Sequence, residues 1–314
     1  MTSLRTLGSS DLQVFPLALG GNVFGWTADR AESFAVLDAY TAAGGNFVDT
    51  ADTYSSWAPG NEGGESETVI GEWLAARRNR ADVLIATKAG AHPRFKGLAP
   101  ATVKAAAEES LRRLGTDHID LYYTHYDDPS VPVEEILGAL DELVRAGTVR
   151  AIAASNITPE RLQESLDASD REGLARYVAL QAQYSLVSRD TYEGPLQEVA
   201  SRGGLAGIPY YGLASGFLTG KYRPGAEVDS ARAGSAGRHL ESARGQRVLA
   251  ALDEVAQERG AEIATVALAW LASRPTVGVP LASARTVAQL PALLAVADLE
   301  LTDEDLTKLT RASE

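Results

Sequence analysis

The chain has 314 residues, 45% of them hydrophobic and 23% charged, enough for two ordinary domains or for one large α/β barrel. Its formal net charge of −13 argues against binding to nucleic acid or to an anionic membrane surface, because both are negatively charged. It contains no cysteine, which excludes disulfides, thiolate nucleophiles and cysteine-ligated zinc.

The amino-terminal segment lacks the continuous apolar run of a signal peptide. No stretch approaches the roughly 18 apolar residues of a membrane-spanning helix. The four histidines, His92, His118, His125 and His239, form no close pair, which argues against a histidine-rich metal site. We therefore expect a cytoplasmic protein with no metal, membrane or nucleic-acid partner.

Short β-like runs alternate with amphipathic helical patterns along the chain. Segment 4–14 is typical of a hairpin with a Gly-Ser-Ser-Asp turn, and eight strand–helix units follow it. The predicted strands lie at 15–21, 46–50, 82–88, 119–125, 149–155, 177–185, 205–211 and 276–283. The predicted helices lie near 31–43, 66–77, 100–114, 133–146, 159–170, 195–202, 265–273 and 287–297.

Eight such units, with strands apolar on both faces, predict a single (β/α)8 TIM barrel over 1–314, with an N-terminal β-hairpin cap on its floor. A doubly wound open sheet is the alternative fold. It is weakened because no G-x-G-x-x-G follows the first strand and no linker divides the chain. The polar segment at about 222–245 is predicted to be a flexible loop, and its position after a strand favours a functional role.

Four polar side chains follow the ends of three consecutive predicted strands: Asp49 with Tyr54, then Lys88, then His125. Such ends meet on the catalytic face of a barrel, so we expect these side chains to be neighbours. An ammonium group beside a phenol favours the phenolate and lowers the pKa of the phenol. The set therefore predicts a proton donor and an oxyanion clamp aimed at a carbonyl oxygen.

Each of these residues also has a structural explanation when taken alone. Asp49 is typical of a turn or helix cap, and Tyr54 of a half-buried residue at a barrel rim. Lys88 is typical of a strand end that meets solvent, and His125 of a hydrogen-bonded core histidine. Only the joint placement of the four favours a catalytic role.

Long stretches of the chain, among them "GGNFVDTADTYS", "GTDHIDLYYTHYDDPSVPVEEILGAL" and "GLASGFLTGKYRPG", resemble the aldo-keto reductase family in the family's order. The resemblance covers essentially the whole chain. It implies a TIM barrel, bound NADPH with NADH as the alternative, and reduction of an aldehyde or ketone by hydride transfer from nicotinamide. It also implies that Tyr54 is the general acid, tuned by Lys88 and Asp49. His125 would orient the carbonyl.

The resemblance implies a cofactor site as well. Within it, Ser155 and Asn156 match the pair that hydrogen-bonds the nicotinamide amide, with Gln181 beside them. Tyr210 would stack on the ring, and Arg285 would pair with a 2′-phosphate. Tyr211-Gly212 replaces the Ser-Pro common in the family, and Leu293 stands where an Asn contacts adenine. The implied cofactor residues are Gly21, Ser155, Asn156, Gln181, Tyr210, Leu213, Ser215, Gly216, Lys221, Ser283, Arg285 and Gln289.

Aromatic residues on the loops after the first two strands, Phe24, Trp26 and Trp57, are expected to form an apolar wall of a substrate pocket. Tyr126 would shape its entrance. The alternative is that these rings only pack the loops down. The sequence identifies neither the carbonyl substrate nor the oligomeric state.

Other functions stay open. One is a non-catalytic regulatory subunit that senses nicotinamide nucleotide, although all four catalytic positions are intact. Another is a Schiff-base aldolase that uses Lys88. An NTPase is disfavoured, because "GFLTGKY" has three residues between its glycines and Tyr222 in place of the P-loop Ser or Thr.

Overall fold

The computed structural model describes residues 3–223, 225, 228 and 233–314. Within these residues, an antiparallel hairpin of β1 (Arg5–Thr6) and β2 (Gln13–Val14) comes first, and eight strands form one parallel sheet. A short antiparallel hairpin, β6 (Ala91–His92) and β7 (Phe95–Lys96), follows the third strand of the sheet. The sheet strands are β3 (Ala18–Gly20), β4 (Phe47–Asp49), β5 (Leu84–Ala89), β8 (Ile119–Thr124), β9 (Val149–Ser155), β10 (Tyr177–Gln181), β11 (Ala206–Gly207) and β12 (Leu281–Ala282).

The sheet has the order β11-β10-β9-β8-β5-β4-β3-β12, and its two end strands meet. The amide of Gly278, before β12, donates to the carbonyl oxygen of Gly207 in β11 at 2.9 Å. On the other side, the amide of Ala18 donates to the carbonyl oxygen of Pro280 at 2.9 Å. The segment around β12 therefore pairs with β3 on one side and with β11 on the other, so the sheet closes. This closure confirms the predicted barrel.

The helices lie between the strands and at the carboxyl end of the chain. Three helices begin at a proline, Pro100, Pro159 and Pro195, where its fixed φ suits a first helical turn and its missing N–H is not needed. The helices are α1 (Arg30–Ala42), α2 (Glu65–Arg77), α3 (Pro100–Leu114), α4 (Val133–Arg145), α5 (Pro159–Glu172), α6 (Pro195–Arg202), α7 (Ala233–Glu241), α8 (Ala243–Arg259), α9 (Ile263–Ala272), α10 (Leu290–Leu294) and α11 (Asp303–Ala312).

The sequence predicts a loop at 222–245, but in the structure the second half of this stretch forms α7 and the start of α8. Tertiary packing stabilises this Gly- and Ala-rich stretch: Ala236 is buried, and the ring of His239 lies 5.5 Å from that of Phe217. Residues 224, 226–227 and 229–232 of the predicted loop lie outside the described residues.

The interior of the barrel is an apolar cluster built from alternate residues of the strands. The amino-terminal hairpin closes it from below, because Leu7, Leu12 and Val14 are buried in the same cluster. A second layer of apolar side chains fills the space between strands and helices. Among the described residues, no helix has the length and apolarity needed to cross a bilayer.

Candidate active site

Strand alternation places polar side chains in the layer above the apolar interior. Successive strand residues point to opposite faces, so the residue two positions after an interior residue points inward as well. Phe47 and Ala86 are interior residues, and Asp49 and Lys88 follow them at this spacing. The same step leads from Tyr123, Ala153, Ala179, Ile208 and Leu281 to His125, Ser155, Gln181, Tyr210 and Ser283.

Lys88 is the centre of the buried polar cluster. Its Nζ donates hydrogen bonds to Asp49 Oδ2 at 2.6 Å, to the carbonyl oxygen of Thr50 at 2.8 Å and to Tyr54 Oη at 2.9 Å. The side chains of Lys88 and Asp49 are both 0% exposed. All three ammonium protons are engaged, so the position of the charge beside the phenol is fixed.

The backbone after β4 carries Tyr54 to this position. The amide of Thr50 donates to the carbonyl oxygen of Ala86 at 2.7 Å, and that of Asp52 to the carbonyl oxygen of Lys88 at 3.2 Å. The chain therefore runs beside β5 for three residues beyond the end of β4. The Tyr54 hydroxyl donates to Asp49 Oδ2 at 3.4 Å, and Tyr54 lines a cavity at the carboxyl ends of the strands.

The pKa of Tyr54 shifts in the direction opposite to the sequence-based expectation. Burial raises the pKa of the Tyr54 phenol well above its ordinary value, and the Asp49 carboxylate raises it further. The cost of burying a phenolate thus exceeds its attraction to Lys88, whose own pKa is lowered by burial. Tyr54 is therefore protonated at neutral pH, and Lys88 stabilises negative charge only as that proton leaves.

His125 lies at the end of β8 and faces Tyr54, with ring centroids 6.0 Å apart and planes at 76°. Tyr126 stacks on it at 4.8 Å. Burial and the Lys88 charge lower the pKa of His125 to about 3, so the imidazole is neutral at neutral pH. A neutral imidazole donates one hydrogen bond, which suits a carbonyl oxygen placed between His125 and Tyr54.

A cavity of about 1000 Å³ opens at the carboxyl ends of the strands. Asp49, Tyr54 and His125 line it, whereas Lys88 lies fully buried behind Tyr54. The predicted cofactor residues that line it are Ser155, Asn156, Gln181, Tyr210, Leu213, Ser215, Gly216, Lys221, Ser283, Arg285 and Gln289.

Two predicted residues, Gly21 and Phe24, are not among those that line the cavity. The Phe24 ring is 0% exposed in the layer between strands and helices, so it packs its loop down instead of forming a pocket wall. At Gly21 a Cβ would lie 2.8 Å from Ser66 Oγ and 3.2 Å from the carbonyl oxygen of Asp49. Gly21 therefore permits close packing of this loop and does not contact the cavity.

The other predicted aromatic residues form walls of the cavity. Trp26 and Trp57 meet edge to face at 5.5 Å, and Trp57 contacts Tyr54 at 6.1 Å. Trp57 and Tyr126 are 49% and 54% exposed. The space beside the Tyr54 hydroxyl is therefore bounded by apolar ring surfaces, which suits an organic carbonyl compound.

Amide side chains and Tyr210 line the cavity near the catalytic cluster. Asn156 Nδ2 donates to the carbonyl oxygen of His125 at 2.8 Å and to Ser155 Oγ at 3.0 Å, and its Oδ1 accepts from Tyr210 Oη at 2.8 Å. Gln181 Nε2 donates to Asp49 Oδ1 at 2.8 Å. These amide groups and the Tyr210 ring suit the carboxamide and the ring of a nicotinamide.

Polar and cationic groups line other parts of the cavity. Backbone φ is positive at Ala214, Ser215 and Gly216, a sharply turned segment after β11. Lys221 and Arg285 contribute positive charge, and the amide of Arg285 donates to Gln289 Oε1 at 2.8 Å. Such backbone turns and cationic side chains suit phosphate groups.

The sequence did not indicate several residues that also line the cavity: Asn22, Thr27, Gly234, Ser235 and Glu262. Ser283 Oγ donates to Asn22 Oδ1 at 2.7 Å, a contact between opposite ends of the chain that no local pattern predicts. Gly234 and Ser235 belong to α7, which the sequence did not indicate. Within the described part of the chain, no cluster of three or more His, Asp or Glu side chains is arranged to hold a metal ion.

Comparison with known proteins identifies chains that are similar to this one over most of its length. A family model described as the aldo/keto reductase family matches residues 16–314. The protein tas of Escherichia coli is 32% identical, with 96% of this chain and 94% of that protein covered. Norsolorinic acid reductase stcV of Emericella nidulans is 32% identical over 95% of this chain and 78% of its own. Aryl-alcohol dehydrogenase (NADP+) of Phanerodontia chrysosporium is 30% identical over 94% and 81%.

Proposed function

The chain belongs to the aldo/keto reductase family, and on that premise we propose that it reduces an aldehyde or a ketone to an alcohol with NADPH. In this proposal Tyr54 donates the proton, Lys88 and Asp49 support it, and His125 orients the carbonyl. The reductase and dehydrogenase names of two relatives support an oxidoreductase activity. We further propose that 1–314 acts as one cytoplasmic barrel domain.

The observation that carries the proposal is the 2.9 Å hydrogen bond from Lys88 Nζ to Tyr54 Oη at the wall of an open cavity. Tyr54 accepts from Lys88 and donates its own proton to Asp49 Oδ2 at 3.4 Å, a long hydrogen bond that a substrate oxygen at ordinary distance would replace. The negative charge that develops on the Tyr54 oxygen during proton transfer lies beside the Lys88 ammonium, which is already in position. Such a fixed group stabilises the transition state without reorganisation.

The residues of the cavity fit a nicotinamide dinucleotide. Asn156, Gln181 and Ser155 would hold the carboxamide, Tyr210 would stack on the ring, and Lys221 would bind phosphate. When bound, the dinucleotide supplies a hydride to the carbonyl carbon. Tyr54 protonates the carbonyl oxygen, and the apolar rings of Trp26 and Trp57 exclude water from the reacting groups.

NADPH is favoured over NADH because Arg285 lines the cavity and can pair with a 2′-phosphate. Leu293, which also lines the cavity, offers no hydrogen bond to adenine. Charge on the ribose phosphate would therefore contribute most of the recognition at this end.

Fluorescence titration with NADPH and with NADH, followed by a panel of aldehydes and ketones monitored at the nicotinamide absorbance, tests the proposal. We expect tighter binding of NADPH and formation of one alcohol for each NADPH oxidised. Binding of NADPH without turnover of any carbonyl would favour the nucleotide-sensing subunit. A Lys88 adduct trapped by borohydride, with no nicotinamide binding, would favour the aldolase.

A further inference from the structure

Gln181 contacts the catalytic cluster from the opposite side of the barrel. It is the last residue of β10, and β10 lies four positions from β4 in the eight-stranded sheet. Its side chain nevertheless reaches Asp49, at the end of β4, and donates from Nε2 to Oδ1 at 2.8 Å. Gln181 itself is only 2% exposed, so water does not replace this contact readily.

The contact extends the catalytic cluster into a chain of hydrogen bonds. Asp49 accepts from Gln181 on Oδ1 and from Lys88 on Oδ2 at 2.6 Å. Lys88 then donates to Tyr54 at 2.9 Å. The two carboxylate oxygens of Asp49 thus have different donors, and the orientation of the carboxylate is fixed from both sides.

We propose that Gln181 is a positioning residue for the general acid, which it holds in place through Asp49 and Lys88. The same side chain lines the cavity, so it joins the nicotinamide site to the acid in one hydrogen-bonded unit. This inference rests on the proposed function, and it assigns Gln181 a second role beyond contact with the cofactor.

The physical reason lies in the burial of Asp49. A buried carboxylate oxygen that loses its hydrogen-bond donor is left unsatisfied, and the cost of removing that oxygen from water is no longer offset. Asp49 then draws Lys88 more strongly towards itself, and the ammonium stabilises the developing charge on Tyr54 less well. Loss of the Gln181 donor is therefore expected to slow proton transfer even where the cofactor is bound.

Asn156 and Ser155 provide the comparison within the same site. Both line the cavity beside Gln181, but Asn156 donates to the backbone of His125 and to Ser155, and neither is hydrogen-bonded to Asp49. A change at Ser155 therefore alters the nicotinamide site without breaking the chain to the acid.

A double-mutant cycle of Gln181→Met with Asp49→Asn tests the proposal, because Met fills a similar volume without a donor. In the wild-type background we expect Gln181→Met to lower kcat about tenfold. In the Asp49→Asn background we expect less than a twofold further loss, since the chain is already broken. NADPH affinity, measured by fluorescence without a carbonyl, should fall by the same factor in both backgrounds.

Ser155→Ala is the matched control, and its effects on kcat and on NADPH affinity should not depend on Asp49. Gln181→Leu, which also lacks a donor but differs from Met in shape, guards against a packing effect of Met. An equal loss of kcat on Gln181→Met in both backgrounds would overturn the positioning role. A wild type that binds NADPH and turns over no carbonyl would instead refute the proposed function, and the role of Gln181 with it.

A thermal-unfolding cycle on the nucleotide-free variants tests the hydrogen bond without turnover. Gln181→Met should lower the midpoint by several degrees, roughly the effect of losing a hydrogen bond to a charged group. The shift should be smaller in an Asp49→Leu background, which offers Gln181 no acceptor. Equal shifts in both backgrounds would show that the two side chains are not coupled. That result would also overturn the proposal.

Discussion

Replacement of Lys88 by methionine is the perturbation that bears most strongly on the polar cluster. Methionine has nearly the shape of lysine but no charge and no N–H. The change removes the donor 2.9 Å from Tyr54 Oη and the ammonium 2.6 Å from Asp49 Oδ2. Lys88 does not line the cavity, so the surfaces that would bind cofactor and substrate stay unchanged.

Two magnitudes follow from these contacts. A hydrogen bond to a charged group contributes about 1.5–3 kcal/mol, and a tenfold change in rate corresponds to about 1.4 kcal/mol. Loss of the bond to the developing phenolate should therefore reduce kcat about 10- to 100-fold. Removal of one partner of a buried ion pair costs about 3–5 kcal/mol of stability, since Asp49 keeps a buried charge.

The assays are steady-state reduction of the best carbonyl substrate and urea unfolding of the same preparations. Lys104→Met is the control, because Lys104 pairs with Glu142 on the surface and should change neither quantity measurably. The double variant Asp49→Asn with Lys88→Met should regain much of the lost stability, since no unpaired charge remains buried, but none of the lost rate. A Lys88→Met protein with kcat within threefold of wild type would refute the reasoning.

Three further predictions concern single residues. Burial, with Glu67 adding to it, raises the pKa of the Asp52 carboxyl well above its ordinary value. The unfolded chain therefore releases this proton at lower pH than the folded chain, and the folded state loses stability as the pH rises above the unfolded value. Urea unfolding should show Asp52→Asn more stable than wild type at pH 8, with the gain gone below about pH 4. An equal gain at both pH values would contradict this. Because the pKa of His125 is lowered to about 3, kcat/KM should have no acid limb from His125 near pH 6.5, and a limb there that is lost in His125→Asn would be the contrary result. Arg285→Leu should weaken NADPH binding at least tenfold and NADH binding less than twofold in fluorescence titrations, and equal losses would remove Arg285 from 2′-phosphate recognition.

Much of the barrel could be predicted because its signals are local. Pro100, Pro159 and Pro195 each mark a helix start that the structure reproduces. Apolar strands that end in polar residues indicated where Asp49 and Lys88 would lie. Alternation along each strand then fixes which side chains share the interior layer.

The remaining features depend on contacts between distant segments. Helix α7 is stabilised by packing on Phe217, and its own composition is that of a loop. Phe24 follows a strand as Trp26 does, yet its ring turns into the core, which no pattern in the sequence distinguishes. The direction of the Tyr54 pKa shift depends on burial, and the contact of Gln181 with Asp49 spans 132 positions.

The most direct test of the account is the rate of hydride transfer in a single turnover of Tyr54→Phe preloaded with NADPH. Phenylalanine keeps the ring and the cavity wall but has no proton to give. We expect the rate to fall about 10²- to 10⁴-fold, the usual contribution of a general acid, with the Kd for NADPH within twofold of wild type. A hydride-transfer rate within threefold of wild type would contradict the assignment of Tyr54 as the proton donor.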